Sequence, residues 1–114
     1  MRLFFVLIVP LMVSWNNSSA AQEIVYNPVT EERLLNPEDE NWLQYRRTYD
    51  SWGYSPLKDI TKQNVANLKV AWTFSTGALE AHQSPPLVND GIMYITTPGN
   101  QVIALDASTG HQLW

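Results

Sequence analysis

The chain has 114 residues, 7 basic and 11 acidic side chains, and a net charge of −4 at pH 7. Its largest basic cluster is Arg46-Arg47, far short of the basic stripe that nucleic-acid binding requires, so that partner class is excluded. No cysteine is present, which excludes a disulfide, a thiolate zinc site and a Cys-x-x-Cys-His haem attachment within these residues.

The first element is a targeting segment. Arg2 supplies a positive start, and Leu3 to Val13 is an apolar run broken only by Pro10. A bilayer span takes about 20 apolar residues, so this run is too short. Ser18-Ser19-Ala20-Ala21 follows, and Ser19-x-Ala21 fits the small-x-small rule for cleavage before Gln22. Residues 1–21 are therefore expected to be a signal peptide. The mature chain is expected in the periplasm, without a transmembrane segment. An uncleaved membrane anchor is the other reading of the same run. Cleavage removes Arg2 and no acid, which takes the net charge to about −5.

Residues 22–41 read as a lead-in segment. Thr30 can cap a short turn through Glu31-Glu32-Arg33. Asn36-Pro37-Glu38-Asp39-Glu40 predicts a helix start, with Asn at the cap, Pro at the first position and acids in the first turn. The acids read as a solvated helix start and not as a metal site. Calcium needs ligands converging from separate elements, and nothing here supplies them.

Residues 42–60 are rich in aromatic side chains and carry a turn at Asp50 to Gly53. Tyr54-Ser55-Pro56-Leu57, followed by Ile60, suits a strand at a sheet edge, because Pro56 donates no ladder bond. Thr61 to Leu68 reads as a capped helical turn. In Val70-Ala71-Trp72-Thr73-Phe74-Ser75, large apolar residues alternate with smaller ones, the period of a half-buried strand.

Evenly spaced turn signals then appear at Asn89-Asp90-Gly91, Pro98-Gly99-Asn100 and Ser108-Thr109-Gly110. Between and beyond them lie Pro86 to Val88, Ile92 to Thr97, Gln101 to Leu105 and His111 to Trp114. This predicts a four-stranded antiparallel meander, the size of one propeller blade. His82 and His111 are isolated and read as loop or surface residues, and Glu80 as a solvated carboxylate. No nucleophile set, phosphate-cradling loop or paired metal-ligand histidine is visible.

The most specific pattern closes the chain: Ala104-x-Asp106-x-x-Thr109-Gly110-x-x-x-Trp114. Asp106 can bond backbone amides two residues on. Gly110 can take positive φ. Ala104 is small enough for a ring to lie on its backbone, and Trp114 is such a ring. With Tyr54-Ser55-Pro56-Leu57 and Leu68-x-Val70-Ala71-Trp72-Thr73-Phe74, this pattern resembles the quinoprotein dehydrogenases, β-propeller enzymes built around pyrroloquinoline quinone (PQQ). In that family the tryptophan of one blade packs on the Ala and Gly backbone of its neighbour. The resemblance covers about residues 41–114.

It implies an all-β fold in which this chain is the N-terminal part, lead-in strand and first blade, of an eight-bladed β-propeller. Residues 42–114 would be the start of the propeller, ending after one blade. It further implies a periplasmic alcohol dehydrogenase using PQQ and calcium. Hydride would pass from the alcohol to the quinone, and electrons onward to an acceptor such as a cytochrome c or a quinone. The family's aspartate base and calcium ligands would fall beyond Trp114, and no catalytic or metal residue is assigned within the chain.

One cofactor contact falls inside it. In the resembled enzymes a glutamate three residues ahead of a proline bonds the PQQ. Gln83 holds that place here, with Pro86 as the proline. An amide can both donate and accept, but it carries no charge. The other reading is that Gln83 caps a strand end. A non-enzymatic assembly propeller shares the docking repeat, but it needs a lipid-bearing cysteine near the signal. An inactive truncated remnant is the remaining alternative.

Overall fold

A computed structural model describes residues 25–114. The expected signal peptide and its cleavage site lie outside the described residues. Among the described residues, no helix is long and apolar enough to cross a membrane.

The chain begins with a short helix, α1 (Glu31–Leu35), capped as expected: the Thr30 hydroxyl accepts from Arg33 N at 3.3 Å. The helix predicted to start at Asn36 does not form. Asn36 instead ends α1, its N–H bonding Glu32 O. The acid that would have opened a new helix is already used. Glu38 accepts from Arg33 Nε at 2.7 Å and Nη2 at 3.1 Å, and from Asn41 Nδ2 at 2.8 Å.

Arg33 is the centre of this corner. Beyond Glu38 it donates to Pro28 O at 3.0 Å and to Asn89 Oδ1 at 2.9 Å. Asn41 is buried, and its Oδ1 accepts from Asp90 N at 2.8 Å. The lead-in segment is thereby tied to the tip of the first hairpin. The Arg33 guanidinium and the Asn41 amide favour the charged carboxylate and push the Glu38 pKa down to about 2.

Three strands form one antiparallel sheet in the order β1 (Leu87–Asn89), β2 (Ile92–Thr96), β3 (Val102–Asp106). Asn89 pairs with Ile92, leaving a two-residue loop with positive φ at both Asp90 (47°) and Gly91 (76°). That is the primed turn whose twist matches the strands it joins. Thr97 N bonds Gln101 O at 3.0 Å, and Asn100 has φ 57°, which closes the second hairpin.

The fourth predicted strand is present only as a bridge. Leu105 pairs with Gln112, while Ala104 bonds both Leu113 N and Trp114 O. Two residues thus oppose one, a bulge that interrupts the ladder. The opposite edge holds an unexpected partner, for Trp42 and Val88 exchange both backbone bonds at 2.9 Å. β3 is therefore covered on both sides, and Ile103, Ala104 and Leu105 are buried with Leu43. Each large apolar side chain so buried contributes about 1.5–3 kcal/mol.

Two predicted strands are not observed. Residues 70–75 keep the expected alternation only at Trp72 and Phe74, which are half-buried between exposed neighbours; Val70 is exposed, and the segment joins no ladder. Both sheet edges are already occupied, by Trp42 and by Gln112. Residues 54–60 also lie outside any strand, and Tyr54, Leu57 and Ile60 are exposed. An edge strand exists only where another strand meets it, and none of the described residues does. The helical turn at 61–68 shrinks to one 3₁₀ turn, η1 (Val65–Asn67), with Thr61 N donating to Asn64 Oδ1 at 2.7 Å.

The docking signature folds as its chemistry suggests, and the tryptophan on it comes from outside the meander, as the resemblance implies. Asp106 Oδ1 accepts from Ser108 N and Thr109 N, both at 2.9 Å, and Gly110 has φ 72°. The bonds from Ser108 and Thr109 hold the Asp106 pKa below its ordinary value. The ring lying on this turn is Trp72. Its Nε1 donates to Ala107 O at 3.1 Å, and a Cβ placed on Gly110 would stand 2.5 Å from its Cε3. Trp114 packs instead against Tyr94, with ring centroids 6.1 Å apart, and donates to Tyr26 Oη at 3.1 Å.

Candidate functional site

Gln83 lies on the loop that carries the chain from Trp72 and Phe74 into β1. Two prolines, Pro85 and Pro86, follow it. Their fixed φ and missing N–H groups keep this approach out of the ladder until Leu87. The sequence reading placed Gln83 just before the first strand of the blade, and the structure puts it there.

The Gln83 side chain is exposed and lines an open cleft of about 540 Å³ with Trp42, Arg46, Trp52, His82 and Ser84. Two observations explain the cleft. The Trp42–Val88 bridge brings the aromatic segment alongside β1. The Asp50–Gly53 turn, with Trp52 N on Asp50 Oδ1 at 3.3 Å and Gly53 N on Arg46 O at 3.2 Å, then swings Trp52 and Arg46 over it. On its other side Gln83 borders a second cleft of about 400 Å³, with Glu80, Thr96 and Pro98 on the wall. Glu80 is exposed there, as expected of a solvated carboxylate.

The donor set of the larger cleft suits an anionic, planar ligand. The Gln83 amide offers two N–H donors and a carbonyl acceptor, Arg46 brings positive charge, and Trp52 presents an exposed ring. Calcium is not matched in the same way. Among the described residues no three His, Asp or Glu side chains come together as a metal cluster. A third cleft, between the lead-in segment and the sheet, is lined by Tyr26, Val29, Leu43 and Tyr94 and is apolar. Gln83 is not part of it.

His82 is the residue whose role sequence reasoning missed. The sequence predicts an isolated loop histidine. It is exposed, but its ring bridges Thr76 Oγ1 at 3.0 Å and Thr96 O at 3.1 Å. No local pattern could have shown a bond to a strand 14 residues on. His111 is exposed, as read, and its backbone carbonyl accepts from Asp106 N.

Residues 42–114 match the family model described as "Glucose/ethanol/alcohol dehydrogenase, beta-propeller domain". The chain is 49% identical over 82 residues to subunit 1 of the methanol dehydrogenase [cytochrome c] of Methylobacterium organophilum, covering 70% of this chain and 13% of that one. It is 44% identical over 87 residues to the dehydrogenase subunit of the quinone alcohol dehydrogenase of Acetobacter aceti, covering 75% and 12%. The solved quinohemoprotein alcohol dehydrogenase ADHIIG of Pseudomonas putida HK5 superposes with a TM-score of 0.72 at 41% identity, over 75% of this chain and 13% of its own. The chain thus spans about one eighth of the length of these relatives. The hairpins, the docking turn under Trp72 and the family match over residues 42–114 agree: this chain belongs to the PQQ-dependent quinoprotein dehydrogenases and carries part of their β-propeller domain.

Proposed function

We propose that this chain supplies the opening blade of a periplasmic, PQQ-dependent alcohol dehydrogenase, and that Gln83 bonds the cofactor. The observation that carries the reading is the place of Gln83: exposed in a cleft with Arg46 and Trp52, at the end of a proline-stiffened approach to β1. PQQ bears carboxylates and carbonyls, all acceptors. The amide N–H groups of Gln83 suit them, and a neutral amide adds no negative charge beside them. Arg46 favours the same anionic ligand from the facing wall. When bound, PQQ takes up the hydride equivalent removed from the alcohol carbon. In this reading Gln83 and Arg46 bind and orient the cofactor. Calcium belongs to the proposal for the whole enzyme. Alcohol as substrate, and a cytochrome c or quinone as acceptor, are part of the same proposal.

The test is a PQQ titration of the full-length apoenzyme with calcium present. Gln83→Ala should weaken binding by about 1–2 kcal/mol, near tenfold, and leave apoprotein folding nearly unchanged. Equal affinity and equal turnover would overturn the contact. Export is checked by the intact mass of the protein released from the periplasm. It should begin at Gln22, and a species that retains Met1 would sink that part of the reading.

A further inference from the structure

Gln83 stands on a loop, and a loop places a side chain only as well as the loop itself is held. The residue beside it does the holding. Thr96 O can only accept, so His82 Nδ1, 3.1 Å away, is the nitrogen that carries the proton. His82 Nε2 then accepts from the Thr76 hydroxyl at 3.0 Å. Thr76 Oγ1 in turn accepts from Ala78 N at 3.3 Å. The chain of bonds runs from the start of the loop, through His82, to the last residue of β2. Thr97, next along, is buried and anchors the second hairpin.

We propose that His82 is a positioning residue: by bridging Thr76 Oγ1 and Thr96 O it fixes the loop that presents Gln83 to the quinone. The inference rests on the reading of Gln83 as a cofactor contact and adds the device that aims it. Without the bridge the loop is anchored at its far end by Pro85 and Pro86, while the stretch ahead of Gln83 loses its tie to the sheet. Gln83 then samples more conformations, and PQQ binding has to restrict them.

The experiment uses the full-length enzyme in four forms: wild type, His82→Ala, Gln83→Ala and the double variant. His82→Ala should weaken PQQ binding about three- to tenfold. The double variant should bind no more weakly than Gln83→Ala alone, because the bridge acts only through Gln83. His82→Asn, whose amide N–H can stand in for Nδ1–H toward Thr96 O, should recover most of the loss. In the apoprotein, the NMR order parameters of the Gln83 and Ser84 amides should fall in His82→Ala and not in Gln83→Ala. Wild-type affinity in His82→Ala beside a weakened Gln83→Ala would overturn the positioning role and leave the Gln83 contact standing. So would fully additive losses in the double variant. Wild-type affinity in Gln83→Ala would overturn both. Thr76→Val, which removes the hydroxyl at near-constant size, gives the same readouts should His82→Ala fail to fold.

Discussion

At Glu38 a single carboxylate holds Arg33 and Asn41, the two side chains that reach the tip of the first hairpin. Its pKa, held near 2 by Arg33 and Asn41, lies below the ordinary 4.5. The sign follows directly. A carboxyl depressed in the folded state contributes stability that is fully present above about pH 4.5 and is lost as pH falls toward 2. A carboxyl-carbon NMR titration should place Glu38 near the bottom of that window, and Arg33→Ala should move the midpoint back toward 4.5. An unchanged midpoint would show that Arg33 is not the cause. Two glycines separate strain from collision in the same way. Gly91 has φ 76° with open space where a Cβ would go, so Gly91→Ala should cost about 1 kcal/mol of backbone strain. Gly110 has φ 72° and Trp72 atoms 2.5–3.0 Å from that point, so Gly110→Ala should cost about 1–3 kcal/mol more. Hydrogen exchange at the Ala107 amide, which donates to Gly91 O, reads both changes in one protein.

At the level of elements, β3 has backbone partners on both sides and the apolar alternation of its neighbours over it. Its amides should be the slowest to exchange in the full-length protein, and those of residues 78–84 the fastest. Comparable rates would mean that the sheet does not form the stable unit described. Much of this was legible in the sequence. The three turns, the Thr30 cap, the Asp106 loop and the position of Gln83 before β1 all rest on chemistry within a few residues, and such chemistry is local by nature. The failures share a cause as well. The alternation at Val70, Trp72 and Phe74 predicts half-burial, which Trp72 and Phe74 show and Val70 does not, and pairing depends on which sheet edge is free. The helix expected at Asn36 lost its acid to Arg33, and nothing nearby announced that. His82 finds its partner, Thr96 O, on another strand, beyond the reach of any local pattern. The Trp42 bridge, which shapes the cleft beside Gln83, likewise joins segments far apart in the chain.

For the molecule as a whole, the telling fact is how much apolar surface remains outside the sheet. Trp52 is 78% exposed and Val70 79%, with Tyr54, Leu57, Ile60 and Leu68 also in solvent. Monomeric proteins rarely leave such a run uncovered. One blade offers each face only half of a core. Residues 22–114 prepared alone should therefore show no sharp cooperative melt and no PQQ-dependent dye reduction. A monomeric fragment with either property would contradict the one-blade reading. The tryptophan on the docking turn has a consequence for how the protein is made. Trp72 precedes its acceptor, Ala107, by 35 positions, and closing a loop of that length costs only about 3 kcal/mol of chain entropy. During synthesis the latch leaves the ribosome before the catch. It can engage as soon as Gly110 emerges. A fastening that reaches forward lets this hairpin be secured in the order in which it is born.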